Sequence, residues 1–262
     1  MSTEASALPE ALRKQRQLGD DEPFRFSCHP GVACFNHCCA DVNILLTPVD
    51  VLRLARRRGL TTKEFLDRHT LMPITKELHL PLVMLRMEEE DGKRCPFVGA
   101  EGCTVYEDRP WACRMYPVGT AIPPARAGVE PTPVSFLFED DFCRGREEAR
   151  LWTVPAWRAD QHVDEQEELE AGFREIVSHP WFIGGRQLDP KRMEMFFIGC
   201  YDLDTFRHLV FQSSFLERFD VAPNLAERLK SDDFELLRFA FLWLRFALFG
   251  ELTMKVKEEK RP

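Results

Sequence analysis

The 262 residues are 44% hydrophobic and 30% charged, a globular balance in a chain long enough for one large domain or two smaller ones. A formal net charge of −8 argues against nucleic acid as the main partner, because phosphate recognition needs clustered Lys and Arg. The opening MSTEASALPEALRKQRQ has no apolar core, and the most apolar run, Phe239 to Phe249, is short and interrupted by Arg245. Neither a secretory signal nor a membrane anchor is expected, and the expected location is cytoplasmic.

In chain order, residues 1–23 are polar and read as a loose leader. The segment from Phe24 to Cys39 lacks periodicity and reads as a ligand-bearing loop. Thr47-Pro48-Val49-Asp50 then predicts a helix, with Thr47 as N-cap, Pro48 at the first position and Gly59 as the stop. Its basic run, Arg53, Arg56, Arg57 and Arg58, reads as a solvated face. A second helix is expected from Thr61 or Thr62, where Thr61-x-x-Glu64 spells a capping box. Residues 78–106 read as short strands. Leu80, Leu82, Met84 and Arg86 lead to a turn at Asp91-Gly92, and Arg94–Val98 and Cys103–Tyr106 flank a second turn at Gly99–Gly102. After Arg109-Pro110 a short turn or helix should carry Cys113. Residues 120–135, rich in Pro and Ala, read as an extended connection. Helices are expected across Val163–His179, Asp202–Phe219 and Asp232–Leu252. In the last, Phe234, Leu237, Phe241, Leu244 and Leu248 form one buried stripe.

Chemistry concentrates in the cysteines. Eight of nine precede residue 144: Cys28, Cys34, Cys38 and Cys39 in one block, Cys95, Cys103 and Cys113 in a second, then Cys143. Cys200 stands alone and reads as a small buried hydrophobe. An odd number of cysteines does not suit a fully paired disulfide framework, and a cytoplasmic setting keeps thiols reduced. Clustered thiolates are soft ligands, suited to zinc, Cu(I) or iron–sulfur clusters. No Cys-x2-Cys pair is present, so the spacing is not that of a zinc ribbon, and the irregular gaps favour iron–sulfur ligation. The adjacent Cys38 and Cys39 serve one centre if the backbone bends there, or else face two. A vicinal disulfide at this pair is the redox alternative. Arg94, Arg109, Arg114 and Arg144 lie near cysteines in sequence and would balance an anionic centre. His29 and His37 read as neighbours rather than ligands.

FSCHPGVACFNHCC, the helix pair LTPVDVLRLARRRGL–EFL, and CPFVGAEGCTVYEDRPWACRMYP together resemble the YkgJ-type cysteine-cluster family, described as a zinc- or iron-chelating domain with a CxxxxCC core. The resemblance covers roughly residues 24–118. It implies chelation through Cys28, Cys34, Cys38, Cys39, Cys95, Cys103 and Cys113. Cys143-Arg144-Gly145 and Trp152-Thr153-Val154-Pro155-x-Trp157 are similar to longer members. Two departures stand out: Cys28 and Cys34 are widely spaced, and Asn36 occupies the place of an expected glycine. The cysteine pattern is also similar to that of flagellin lysine-N-methylase, although no Gly-rich methyl-donor loop is visible.

The expectation is an α+β protein with a loose leader (1–23), a cysteine-rich metal-binding domain of loops, helices and hairpins (24–155), and a mostly helical region packed against it (156–262). Its function would be to bind a 4Fe-4S cluster, or zinc, through Cys28, Cys34, Cys38, Cys39, Cys95, Cys103, Cys113 and Cys143, with Arg109 and Arg114 beside the cofactor. The alternative is an iron–sulfur enzyme, either a redox protein or an S-adenosylmethionine-dependent protein lysine N-methylase. Expected partners are the metal or cluster and another protein met by the helical half, without nucleic acid or membrane.

Overall fold

The computed structural model describes residues 12, 14–73, 80–122, 132–183 and 185–257. The mixture of helices and small sheets, with a helical C-terminal half, is α+β. By internal contacts the chain divides into two compact units, each assembled from three separate segments. One comprises Met1–Val42, Met87–Thr104 and Trp111–Asp164, and the other comprises Asn43–Arg86, Val105–Pro110 and Glu165–Pro262. Among the described residues no helix is long and apolar enough to cross a membrane.

The first unit is built on short strands. Val118–Ala121 and Val134–Leu137 pair antiparallel, and Arg16–Leu18, within the stretch read as leader, adds to the far edge of Val134–Leu137. These strands flank the expected Pro/Ala-rich connection, whose centre, 123–131, lies outside the described residues. Val118–Ala121 and Val134–Leu137 are each only four residues long and border a Pro- and Ala-rich run, and the pairing itself depends on the register of Val118 with Leu137. Behind the sheet lies an aromatic core of Phe24, Phe26, Trp152 and Trp157, with Met115, Val118, Leu137 and Cys143. Trp157 meets Phe24, Phe26 and Trp152 edge-on at 6.3, 5.4 and 5.2 Å, the geometry that aligns ring edges with π faces. Both indole N–H groups are satisfied by backbone carbonyls. Trp157 donates to Met115 at 3.0 Å and Trp152 to Phe26 at 2.9 Å.

In the second unit the capping signals are realised. Helix Pro48–Arg58 starts with a capping box in which Thr47 and Asp50 exchange bonds of 3.1 and 2.9 Å, and it ends at Gly59 (φ 64°). Helix Thr62–His69 begins with the Thr61–Glu64 box. The strand expected near Met84 pairs with Thr70–Leu71 rather than across the EEEDGK turn, and within the first unit Glu88 and Arg94 close that turn by a single bridge. The dense apolar pattern after 232 forms helix Asp233–Phe249, which buries Leu237, Phe241, Leu244 and Leu248 and half-buries Phe234. It packs against Ala171–Val177, Pro190–Cys200, Leu203–Gln212 and Pro223–Ser231. Pro190–Cys200 and Pro223–Ser231 were not expected as helices. Each starts at a proline, with Asp189 capping the first, a start signal that the sequence reading did not use.

A polar cluster lies inside this helical unit. Asp50, Gln166 and Glu170 are all buried. The Gln166 side-chain amide donates to Asp50 at 2.7 Å and to Glu170 at 3.0 Å, while the Thr47 hydroxyl donates to Glu170 at 2.5 Å. Burial, followed by the nearby Asp50 charge, pushes the Glu170 carboxyl up to about 7, against the pull of those hydrogen bonds. A carboxyl raised on folding binds its proton more tightly in the native state, so stability falls as pH rises from about 4.5 to about 7. Glu170→Gln keeps an acceptor for Thr47 and Gln166 and removes the titration. Denaturant unfolding should show the slope flattened across that window and a gain on the order of 1–3 kcal/mol at pH 8. An unchanged slope would remove Glu170 as its source.

Candidate metal centre

The first cysteine block is a succession of tight turns. The amides of Val32, Phe35, His37 and Cys39 bond the carbonyls three residues earlier, at 2.9 to 3.1 Å. Asn36 takes up a left-handed conformation (φ 65°) and leads into a single 3-10 turn, His37–Cys39. Asparagine is among the few non-glycine residues that tolerate this region, which accounts for Asn36 at an expected glycine position. The backbone therefore bends at the adjacent pair, one of the two arrangements the sequence left open.

Two further segments meet this block. On one side, the Cys95 amide donates to the Cys39 carbonyl at 2.7 Å, and Ala40 bridges Arg94. Val98 bonds back to the Cys95 carbonyl at 3.1 Å and pairs with Cys103 in the hairpin Val98–Gly99/Gly102–Cys103. Gly102 sits at φ 114°, a conformation that L side chains rarely adopt, and a Cβ there would press on the Phe35 ring at 3.0 Å. On the other side, the Ser27 amide donates to Gly145 at 2.9 Å, Phe26 to Arg150 at 3.0 Å, and the Arg144 amide to the Cys34 sulfur at 3.1 Å. The His37 ring lies 5.0 Å from that of Phe142. Cys113 rides on the short helix Trp111–Met115.

All eight clustered cysteines consequently belong to the first unit, while Cys200 is buried in the second. Cys28 and Cys38 are open to solvent, Cys143 is buried, and the other five are half-buried. The thiols are close enough to oppose one another's ionisation. Desolvation pushes Cys28 up to about 11, aided by Cys38, Cys34 and Cys143. Cys39 donates a hydrogen bond to Cys38, which draws Cys38 down to about 7 and drives Cys39 upward, where burial and the charges of Cys38, Cys95 and Cys113 add to the effect. Cys95 is raised by burial, with Cys103 contributing. Mutual repulsion of this kind is relieved by a bound cation.

Among the described residues no three His, Cys, Asp or Glu side chains stand in a geometry that would already hold an ion. The donor chemistry nevertheless fits a thiophilic metal, since one unit gathers eight thiols, and closing the coordination sphere calls for movement of exposed or half-buried side chains. His29 has both ring nitrogens engaged, with Glu148 at 3.4 Å and the Gly31 amide at 3.2 Å, as expected of a neighbour. Arg114 is buried in the first unit and donates to the Gln161 carbonyl at 3.1 Å. Arg109 falls in the second unit, its guanidinium 3.8 Å over the Tyr106 ring.

Sequence reasoning passed over Tyr116 and Asp140. Tyr116 donates to Asp140 at 3.1 Å and lies beside Cys143. Burial, then Cys143 and Asp140, keeps its hydroxyl protonated well above the usual range. The available signals were the Tyr116-Pro117 end of the second motif and the acidic run before Cys143.

Residues 27–144 match the family model "CxxCxxCC: Putative zinc- or iron-chelating domain". The match begins one residue before Cys28 and ends one after Cys143, and so encloses the eight clustered thiols and excludes Cys200. It supports metal binding by this part of the chain. No curated protein and no solved structure matches the chain.

Gly145 sets how closely the Cys143 turn approaches the segment leading to Cys28. A Cβ at this position would lie 2.5 Å from the Ser27 carbonyl oxygen and 2.9 Å from the Phe26 ring. Because the obstacle is backbone, Gly145→Ala should cost about 1–3 kcal/mol and lower metal content, as read by denaturant unfolding and elemental analysis. Unchanged values for both would show that the approach is looser than described.

Proposed function

We propose that the chain is an iron–sulfur protein in which Cys28, Cys34, Cys38, Cys39, Cys95, Cys103, Cys113 and Cys143 supply the ligands. The observation that carries this reading is the gathering of eight thiols, and no other cysteine, into one unit from three separate segments. Two features favour a cluster over a lone zinc ion. No Cys-x2-Cys pair of the zinc-ribbon kind is present, and the sulfur of Cys34 already accepts a backbone N–H, the kind of bond that tunes cluster potential. Arg114, adjacent to Cys113 and buried in the same unit, is the cation assigned to balance the centre; the assignment of Arg109 rests on the motif alone. A bound cluster would supply one-electron chemistry or a covalent clamp on the three segments. The chain's own residues hold it, the Arg144 amide donating to the Cys34 sulfur and the Tyr116–Asp140 pair lying beside Cys143. The proposal places the protein in the cytoplasm, where thiols stay reduced.

Iron, zinc and acid-labile sulfide on anaerobically purified protein test the reading, together with a visible spectrum. Iron and sulfide in comparable amounts with a broad visible band are expected, whereas colourless protein with zinc alone would replace the cluster by a structural metal. Serine at Cys38, Cys39, Cys103 or Cys113 should lower metal content, and Cys200→Ser should leave it unchanged. Equal content in all five variants would remove these thiols as ligands.

A further inference from the structure

Beside the sheet of the first unit lies a half-enclosed cavity of about 190 Å³ that metal binding does not use. One wall is helix Trp111–Met115. Trp111, Ala112 and Met115 line the cavity, whereas Cys113 and Arg114 do not, and helical spacing sets them on the opposite face. Val118, Phe136 and Phe138 supply most of the remaining apolar lining. The Phe138 ring lies across Gly119, where a Cβ would come within 2.5 Å of it, so a side chain at 119 would displace this wall. The lining has a polar exception at Thr120. Its hydroxyl oxygen is buried and, among the described residues, is the one buried side-chain nitrogen or oxygen without a hydrogen-bond partner. The hydroxyl of Tyr116, which also borders the cavity, is already taken by Asp140.

We propose that this cavity is a binding site for a single-ring aromatic molecule carrying one hydroxyl, the ring held among Trp111, Phe136 and Phe138 and the hydroxyl paired with Thr120. Volume sets the number of rings. An apolar cavity of about 150 Å³ takes up benzene, so the space here holds one ring with a small substituent. The lining sets the chemistry. Aromatic walls favour a ring packed edge-on or offset, and the absence of any Asp, Glu, Lys, Arg or His from the described lining disfavours a charged ligand. The unpaired hydroxyl calls for one matching polar group, because a buried hydroxyl without a partner is a standing cost that a bound donor or acceptor recovers. The site stands apart from the metal reading, since its ligand would meet the face of helix Trp111–Met115 away from Cys113.

Equilibrium dialysis of the full-length protein, as purified anaerobically, against phenol and against benzene tests the site. A cavity with no partner for the hydroxyl favours benzene, because burying an unmatched O–H is costly. The wild type is therefore expected to bind phenol at least as tightly as benzene. Thr120→Val keeps the shape of the side chain and removes its hydroxyl. It should weaken phenol roughly three- to tenfold, the value of one neutral hydrogen bond, and reverse the order of the two ligands, whereas Thr120→Ser should preserve the order. Binding of neither ligand, tighter binding of benzene by the wild type, or an unchanged order in Thr120→Val would overturn the proposal. Should the valine variant not fold, the order in the wild type decides alone.

Discussion

A backbone hydrogen bond of 2.7 Å, from the Cys95 amide to the Cys39 carbonyl, joins two cysteine blocks that are far apart in sequence. Together with the bond from Ser27 to Gly145 it brings three distant segments together. Thiols alone could not accomplish this. Unligated, they repel one another as they ionise, so the scaffold that brings them together has to be assembled from neutral interactions. These are backbone bonds, the Gly102 turn against Phe35, and the aromatic core around Trp157. The scaffold supplies proximity at a cost in thiol acidity, and a bound cation reverses that cost.

The same tension appears in the helical unit in another form. There the buried carboxyls of Asp50 and Glu170 are held near each other by an amide and a hydroxyl rather than by a metal, and protonation of Glu170 relieves the charge. The capping box that begins helix Pro48–Arg58 thus has a second use, since Thr47 and Asp50 each bond both within the box and to the 166–170 segment. A local helix-start signal doubles as a tertiary anchor.

What could be read from sequence was local. Thr47, Pro48, Gly59 and the Thr61–Glu64 box announce two helices because each acts within a few residues of itself. The grouping of the cysteines announced metal chemistry, and the Phe-rich period announced the buried helix after 232. Pairings set by distant partners could not be read in this way. Arg16–Leu18 is too short and polar to declare itself a strand without Leu137 opposite, and Met84 chose Thr70–Leu71 over the nearer turn. The role of Tyr116 and Asp140 beside Cys143 was hidden for the same reason, because neither is remarkable until the chain folds them together.

The first unit takes its segments from Met1–Val42, Met87–Thr104 and Trp111–Asp164, and this interleaving has a consequence during synthesis. A ribosome delivers Cys28, Cys34, Cys38 and Cys39 together, long before Cys95, and Cys143 last of the eight clustered thiols. A nascent chain therefore presents four clustered thiols without the aromatic floor that Trp152 and Trp157 later provide. At that stage the chain offers only the first four thiols, and the segments that carry Cys95, Cys103, Cys113 and Cys143 join them only once translation has passed residue 157.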